Sequence, residues 1–281
     1  MRVSENNKLS NSERQRIATE NVEKALAYYN QNNISLTKLA KMFGLSRTTL
    51  YNYIKTNNVE VKSTNVHSQN TKFFNVIDSE VKAYWLGFIY ADGCISERVK
   101  NGKVSSMTLE ITLNEGDKSH LEKFLQDINS TRTVKTKLVK LNGKEITTYR
   151  VSISSTEMCR DLISNGCLPR KSLTLTFPNH LPHSLVKHFI RGYLDGDGCI
   201  STRKRISIVG TEQFLNSLQN YFIDNLNVSS VSIRHEKRGK HYSYEKSGND
   251  ALKIMNHLYT GCNTYLDRKY EKALAYLQGD L

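Results

Sequence analysis

The stretch Phe189-Ile190-Arg191-Gly192-Tyr193-Leu194-Asp195-Gly196-Asp197-Gly198-Cys199-Ile200-Ser201 has an imperfect copy upstream, Tyr84-Trp85-Leu86-Gly87-Phe88-Ile89-Tyr90-Ala91-Asp92-Gly93-Cys94-Ile95-Ser96. Both end in Asp-Gly-Cys-Ile-Ser and carry Gly five positions before the shared Asp; Asp92 and Asp197 lie 105 residues apart. Val81, Tyr84, Trp85 and Phe88 recur at helical spacing, as do Val186, Phe189, Ile190 and Tyr193. Gly87 and Ala91 lie four apart, as do Gly192 and Gly196, so each pair stacks on one helix face. A stripe without bulky side chains lets two helix backbones approach closely, which predicts that the copies pack on each other. Gly93 and Gly198 read as helix stops at positive φ. Asp92 and Asp197 then sit at carboxyl ends, where the macrodipole is negative and the last carbonyls are unpaired. Two such ends side by side require a cation, and carboxylate plus carbonyl oxygen is the set that Mg²⁺ or Ca²⁺ prefers. The residues alone therefore predict a divalent metal site on a pseudo-two-fold axis.

The two segments resemble the paired helices of the LAGLIDADG homing endonucleases, in the form that carries both repeats on one chain. The resemblance covers about residues 78–278. The family's metal-binding acid, at the eighth motif position, is Asp92 in one copy and Asp197 in the other. The sixth position, not the family's catalytic one, is Asp195 in the second copy and Tyr90 in the first. The resemblance also implies a basic residue near the end of each repeat. The candidates are Lys171 in Leu168-Pro169-Arg170-Lys171-Ser172 and Lys269 in Tyr265-Leu266-Asp267-Arg268-Lys269-Tyr270, 79 and 72 residues beyond their acids. Each context reads Leu, one residue, Arg, Lys. A lone lysine is usually a solvated surface residue; the matched pair favours function, with Arg170 and Arg268 as competitors. Phe177-Pro178 fits the family's connector into the second helix.

By this resemblance the chain hydrolyses phosphodiesters in duplex DNA, across the minor groove, leaving short 3′ overhangs. Asp92 and Asp197 hold Mg²⁺, with the carbonyls of Ala91 and Gly196 as further ligands. Mn²⁺ is expected to substitute, and Ca²⁺ to bind without supporting cleavage. Lys171 and Lys269 orient the water shell or offset charge on the phosphorus. One site for each strand accounts for the doubling.

Outward from the paired helices, each repeat reads αββαββα. In the first, strands over 95–99 and 104–113 join at Asn101-Gly102, a strong hairpin signal. Met107, Leu109, Ile111 and Leu113 alternate with polar residues, so one face is buried. An amphipathic helix over 117–128 turns Leu121, Phe124, Leu125 and Ile128 inward. A second hairpin over 133–154 turns at Asn142-Gly143, with Val134, Leu138, Val151 and Ile153 inward, and a short helix over 156–164 closes the unit. In the second repeat, Ile200, Ile206 and Ile208 lie on two short strands turning near Arg203-Lys204-Arg205. A helix over 211–226 follows, then a hairpin carrying Val231, Ile233, Tyr242 and Tyr244 that turns at Gly239, a helix over 249–259 and a terminal helix over 266–277. Matching element order argues duplication and fusion into a pseudo-dimer. Each repeat's polar sheet face is expected in the major groove. The contact candidates are Ser96, Arg98, Lys135, Lys137 and Arg150, then Ser201, Arg203, Arg205, Arg234, Lys237 and Lys240. A long asymmetric target follows, because the repeats differ at almost every such position.

Before the repeats, a helix from Ser12 carries a stripe of Ile17, Val22, Ala25, Leu26 and Tyr29. Residues 35–55 have the form of a helix-turn-helix. Leu36, Leu39, Ala40 and Phe43 face inward, Gly44 turns the chain, Leu45 plugs the core, Ser46 caps the second helix, and Leu50 and Ile54 anchor it. Arg47, Thr48, Thr49, Tyr51, Asn52 and Lys55 stay on its outer side, where DNA-binding versions meet base edges and phosphates. The bland alternative is an ordinary helical hairpin. The expected organisation is a helix-turn-helix domain over 1–56, a linker over 57–77, a first repeat over 78–167, a connector over 168–183 and a second repeat over 184–281. The fold class is α+β: two pseudo-symmetric repeats forming a saddle for DNA, preceded by a small all-α domain.

Composition agrees. Forty Lys plus Arg against 27 Asp plus Glu leave a net charge of +13 over 281 residues, favouring nucleic acid or an anionic surface as partner. No apolar run approaches the ~20 residues of a membrane span, and the N-terminus lacks an apolar signal region. The five cysteines, without C-x-x-C spacing, read as reduced thiols. An intracellular, cytoplasmic, monomeric enzyme, freestanding or intron-encoded, is the expectation. Asp195-Gly196-Asp197-Gly198 is not a calcium loop, since the sixth and twelfth positions are Ile200 and Ile206. Two other readings stay open: a DNA-binding regulator that has lost cleavage, and an RNA-splicing maturase.

Overall fold

The computed structural model describes residues 10–32, 34–59, 67–141, 143–236 and 239–279. Residues 1–9 of the terminus, the middle of the linker, Asn142 of the second turn and the contact candidate Lys237 lie outside the described residues. The chain divides into two compact units, Met1–Ser68 and Gln69–Leu281.

The first unit is all-α. Helix α1 (Asn11–Gln31) opens on a capping box in which Ser10 and Glu13 satisfy each other's backbone amides. Helices α2 (Leu36–Met42) and α3 (Arg47–Thr56) are capped by Ser35 and Ser46, which accept from Lys38 N and Thr49 N. Gly44, at φ +64°, makes the turn between them. Val22, Ala25, Leu26, Tyr29, Leu39, Ala40 and Leu50 form the core, with Leu36, Phe43, Leu45 and Ile54 packed against it. Ile17, expected in the apolar stripe, is 42% exposed. The stripe of α1 joins this core only from Val22 onward.

The second unit is α+β. The first repeat runs α4 (Glu80–Asp92), β1 (Gly93–Lys100), β2 (Lys103–Asn114), α5 (Lys118–Asp127), β3 (Lys135–Leu141), β4 (Lys144–Ser154) and α6 (Thr156–Ser164). The second runs α7 (His183–Asp197), β5 (Gly198–Ser201), β6 (Arg205–Gly210), α8 (Glu212–Leu226), β7 (Arg234–His235), β8 (Tyr242–Ser247) and α9 (Gly248–Tyr259), followed by α10 (Asp267–Gln278). Each repeat makes one four-stranded antiparallel sheet, in the orders β1-β2-β4-β3 and β5-β6-β8-β7. One apolar core spans both, from Met107, Leu109 and Ile111 of β2 through α4 and α7 to Ile206 and Ile208 of β6.

The structure corrects four expectations. Phe73, Phe74 and Ile77 are buried in this core, so the C-terminal part of the expected linker belongs to the second unit. Leu138 lies in register opposite Thr147, on the face shared by Tyr149 and Val151, yet is 64% exposed; there the hairpin runs on beyond the core. In the second repeat the outer strand β7 shrinks to two residues, and Val231 and Ile233 precede it as irregular chain packed on the core. Gly93 and Gly198 do not take positive φ; they lie at −78° and −106° with extended ψ. Their need for glycine is steric, since an added Cβ would come within 2.7 Å of Ile89 O and 2.6 Å of Leu194 O.

Candidate active site

The paired helices touch backbone to backbone. An added Cβ on Gly87 would land on the carbonyl oxygen of Phe189, and one on Gly192 on that of Tyr84. The small-residue stripes thus do what their spacing predicts. One turn further on, Gly196 faces Ala91, and an added Cβ there would stand 3.3 Å from Asp92 Oδ2. Asp92 and Asp197 therefore arrive together at the carboxyl ends of α4 and α7. Both are half-buried. Burial raises the Asp92 pKa from 3.8 to about 6, and the Asp197 charge adds to the rise. Burial also raises that of Asp197, against the pull of Lys171, Lys269 and His241.

The two predicted lysines flank these acids, and both are buried. Lys171 donates to the carbonyl of Gly93 at the end of α4. Lys269 donates to the carbonyls of Leu194, Asp195 and Gly198 at 2.7, 2.7 and 2.6 Å, at the end of α7. The cations that two abutting helix ends require are thus partly supplied by the chain itself. Burial lowers the Lys269 pKa, against the pull of Asp195 and Asp92. The competitor Arg268 turns away and grips Asp117 through two nitrogens at 2.9 to 3.2 Å. Arg170 holds φ +56° ahead of the turn that starts at Lys171.

Behind the acids lies a buried network that composition gave no hint of. Asp195 is fully buried, and its carboxylate accepts from Tyr84 Oη at 2.7 Å, Tyr259 Oη at 2.6 Å and Leu266 N at 2.8 Å. Three donors on one carboxylate are the pattern of its ionised form. Since the Tyr84 proton goes to Asp195, the 3.1 Å contact of its oxygen with His120 Nε2 makes that nitrogen the donor. Burial lowers the His120 pKa to about 3. Arg191, also fully buried, donates to Glu80, Leu258 O and Thr264 O at 2.7 to 2.9 Å.

A divalent metal fits this donor set. Among the described residues no group of three or more His, Cys, Asp or Glu converges on a metal position. The available donors are two carboxylates and the carbonyls of Ala91 and Gly196, which fall among the last of each helix. That is the sparse set suited to Mg²⁺, which keeps waters and takes substrate phosphate oxygens as its other ligands.

A cavity of about 220 Å³ opens beside Asp197, lined by Tyr90, Ala91, Lys171, Tyr193 and His241 among others. His241 was not among the predicted residues. It precedes β8 in a loop, where neither helical nor strand periodicity marks it.

The sheet register brings the contact candidates of the first repeat onto one face. Ser96 and Arg98 pair with Thr108 and Ser106, Thr112 with Arg150, and Lys135 and Lys137 with Arg150 and Thr148. In the second repeat Ser201, Arg205 and Arg234 share the face of Ser207 and Ser243. Arg203 sits in the β5–β6 turn at φ +62°, and Lys240 is exposed in the loop before β8. Two acids on these faces were missed: Glu110 pairs with Arg150, and Glu245 with Arg205 and, at 3.8 Å, with Arg234. Strand alternation would have placed both. On α3, Arg47, Thr48, Thr49, Tyr51, Asn52 and Lys55 are all exposed, though the Thr49 hydroxyl also bonds Ser46 at 2.7 Å.

Residues 19–62 match the family profile of the helix-turn-helix, Psq domain. The chain resembles the LAGLIDADG homing endonucleases. A structure of mesophilic variants of the homing endonuclease I-DmoI is 19% identical, covering 69% of this chain and 98% of that one at a TM-score of 0.47. I-DmoI in complex with DNA and Ca is 20% identical over 74% and 99% of the two chains, at 0.48. The LAGLIDADG meganuclease I-AabMI bound to uncleaved DNA is 16% identical over 70% and 88%, at 0.44. No curated protein matches the sequence. Among the described residues, no helix is long and apolar enough to cross a membrane.

Proposed function

We propose that the chain is a site-specific endonuclease that hydrolyses both strands of duplex DNA with a divalent metal. The observation that carries this reading is the delivery of Asp92 and Asp197 to one half-buried position by helices in backbone contact. Burial and mutual repulsion disfavour two carboxylates there unless a cation joins them. Asp92, Asp197 and the carbonyls of Ala91 and Gly196 would hold Mg²⁺, or Mn²⁺ in its place. When bound, the metal would polarise the scissile phosphate and help ionise the attacking water.

The chain's own residues do the rest. Lys171 and Lys269 hold positive charge within reach of both acids and fix the helix ends that present them. The two sheet faces supply the groove contacts: Arg98, Lys135, Lys137 and Arg203 as exposed cations, Arg150, Arg205 and Arg234 as cations oriented by Glu110 and Glu245. An arginine held by a carboxylate is restricted in the base edges it can fork onto, which favours a defined target. The exposed face of α3 adds a second contact with DNA, in keeping with the helix-turn-helix match. The relatives solved with DNA, and with Ca, Mn or Mg, support this reading.

The test is cleavage of a randomised duplex library in Mg²⁺. Cuts on both strands at one long asymmetric motif, abolished by EDTA, are the expected result. Tight, sequence-specific binding with no cutting under any metal would instead favour a regulator, or a maturase to be sought by RNA-splicing assay.

A further inference from the structure

We infer that the residue at the sixth position of each paired helix, Asp195 in one and Tyr90 in the other, is the positioning residue for that repeat's lysine, Lys269 or Lys171. The inference rests on the endonuclease reading for its catalytic meaning, but its geometry stands alone. In the second repeat, Asp195 Oδ2 accepts from Leu266 N at 2.8 Å, and Leu266 is the cap residue of α10. Leu266 O in turn accepts from Lys269 N at 3.0 Å, so the carboxylate anchors the turn that carries the lysine. The ammonium then folds back onto Asp195 O and its neighbours. Tyr84 and Tyr259 complete the grip on the carboxylate from α4 and α9. Asp195 touches neither open space nor any position where substrate could lie; it acts through Lys269.

In the first repeat the same helix position does the same work with different chemistry. Tyr90 Oη donates to Asn165 O at 2.5 Å, six residues before Lys171. Gly166 takes φ +95°, and a Cβ there would strike the Tyr90 hydroxyl, so the phenol fills the space that the glycine leaves. The Asn165 side chain extends the tether, donating to Phe74 O and Asp161 O at 2.9 Å. Two unlike residues at one motif position thus tie their helix to the segment that leads to the basic side chain. The tie is tighter in the second repeat, with a charged acceptor, three donors and three residues of separation.

The experiment uses the full chain and a strand-labelled duplex carrying the cleavage motif, and compares Asp195→Asn, Tyr90→Phe, Lys269→Met and Lys171→Met. Asp195→Asn is expected to lower kcat roughly tenfold, with KM unchanged, on the strand that Lys269→Met impairs. Tyr90→Phe should lower it by less, on the strand that Lys171→Met impairs. Equal slowing of both strands by either variant, or no slowing, overturns the inference. Amide hydrogen exchange reads the same ties in a chain that cuts nothing, and so separates failure of this inference from failure of the endonuclease reading. Asp195→Asn should speed exchange at Leu266 and Lys269 at least tenfold and leave Gly166 and Cys167 unchanged, with the converse for Tyr90→Phe. Uniform change, or none, in that measurement also overturns it.

Discussion

Helices α4 and α7 run out through the same five residues, Asp-Gly-Cys-Ile-Ser, and the chain supports the two helices in different ways. Around α4 the supports are mostly apolar: Leu86 and Tyr90 are buried, and Lys171 gives its helix end one hydrogen bond. Around α7 the equivalent positions are Arg191 and Asp195, both fully buried and both bonded to α9 or the chain before α10, while Lys269 bonds three carbonyls. A duplicated element thus keeps its contact stripe and its acid, the parts that face the other copy, and diverges in the scaffold behind them. The comparison also explains why the site is built at a helix C-terminus at all. The lysines offset part of the negative charge gathered there, and under the proposed function a divalent metal would offset the rest.

The largest effect should come from breaking what the two copies share. Gly192→Val would drive a side chain into the Tyr84 backbone, costing about 3 kcal/mol or more. Thermal melting should show the second unit destabilised and the helix-turn-helix unit unchanged. Removing the lysines tests the asymmetry directly. Lys269→Met removes three hydrogen bonds to carbonyls and should cost about 3 kcal/mol by denaturant melting, whereas Lys171→Met, removing one, should cost about 1 kcal/mol. Equal losses would end the claim that the tie is tighter in the second repeat.

Acid should expose the same polarity. His120 of the first repeat supports Tyr84 and, through it, Asp195. Its pKa is about 3 in the folded state against an ordinary 6.5, so the unfolded chain binds more protons between these values. Stability is therefore full above pH ~6.5 and falls as pH drops toward 3. His120→Gln should flatten that limb of the stability–pH curve. The smallest effect belongs to the first unit: Ser46→Ala removes the cap of α3 and should cost about 1 kcal/mol there and nothing in the second unit.

Much of this fold was legible because it is periodic or repeated. The glycine stripes, the Asn101-Gly102 turn and the alternation along β2 each encode their geometry within a few residues, and the structure follows them. The carboxylates were legible as a pair because one motif occurs twice. What was not legible depends on contacts distant in sequence. Nothing near Asp195 announces Tyr259 or Leu266, some 70 residues away, and a motif position without a catalytic role gave no reason to look. The exposure of Leu138 depends on where the core stops, and the steric need at Gly93 on the turn before it. Neither is set by residue type. His241 beside Asp197 arises from a loop, where sequence pattern carries least information.

The central claim is that the two repeats bring their acids together as a paired metal-binding centre, with one acid for each strand. Its most direct test is strand-resolved cleavage of the motif in Mg²⁺ by the wild-type chain, Asp92→Asn and Asp197→Asn. The account predicts that wild type cuts both strands and that each variant loses double-strand cutting by more than about a hundredfold, beyond what loss of a mere supporting partner costs, with nicks at most remaining. Double-strand cutting at the wild-type rate in either variant would contradict it.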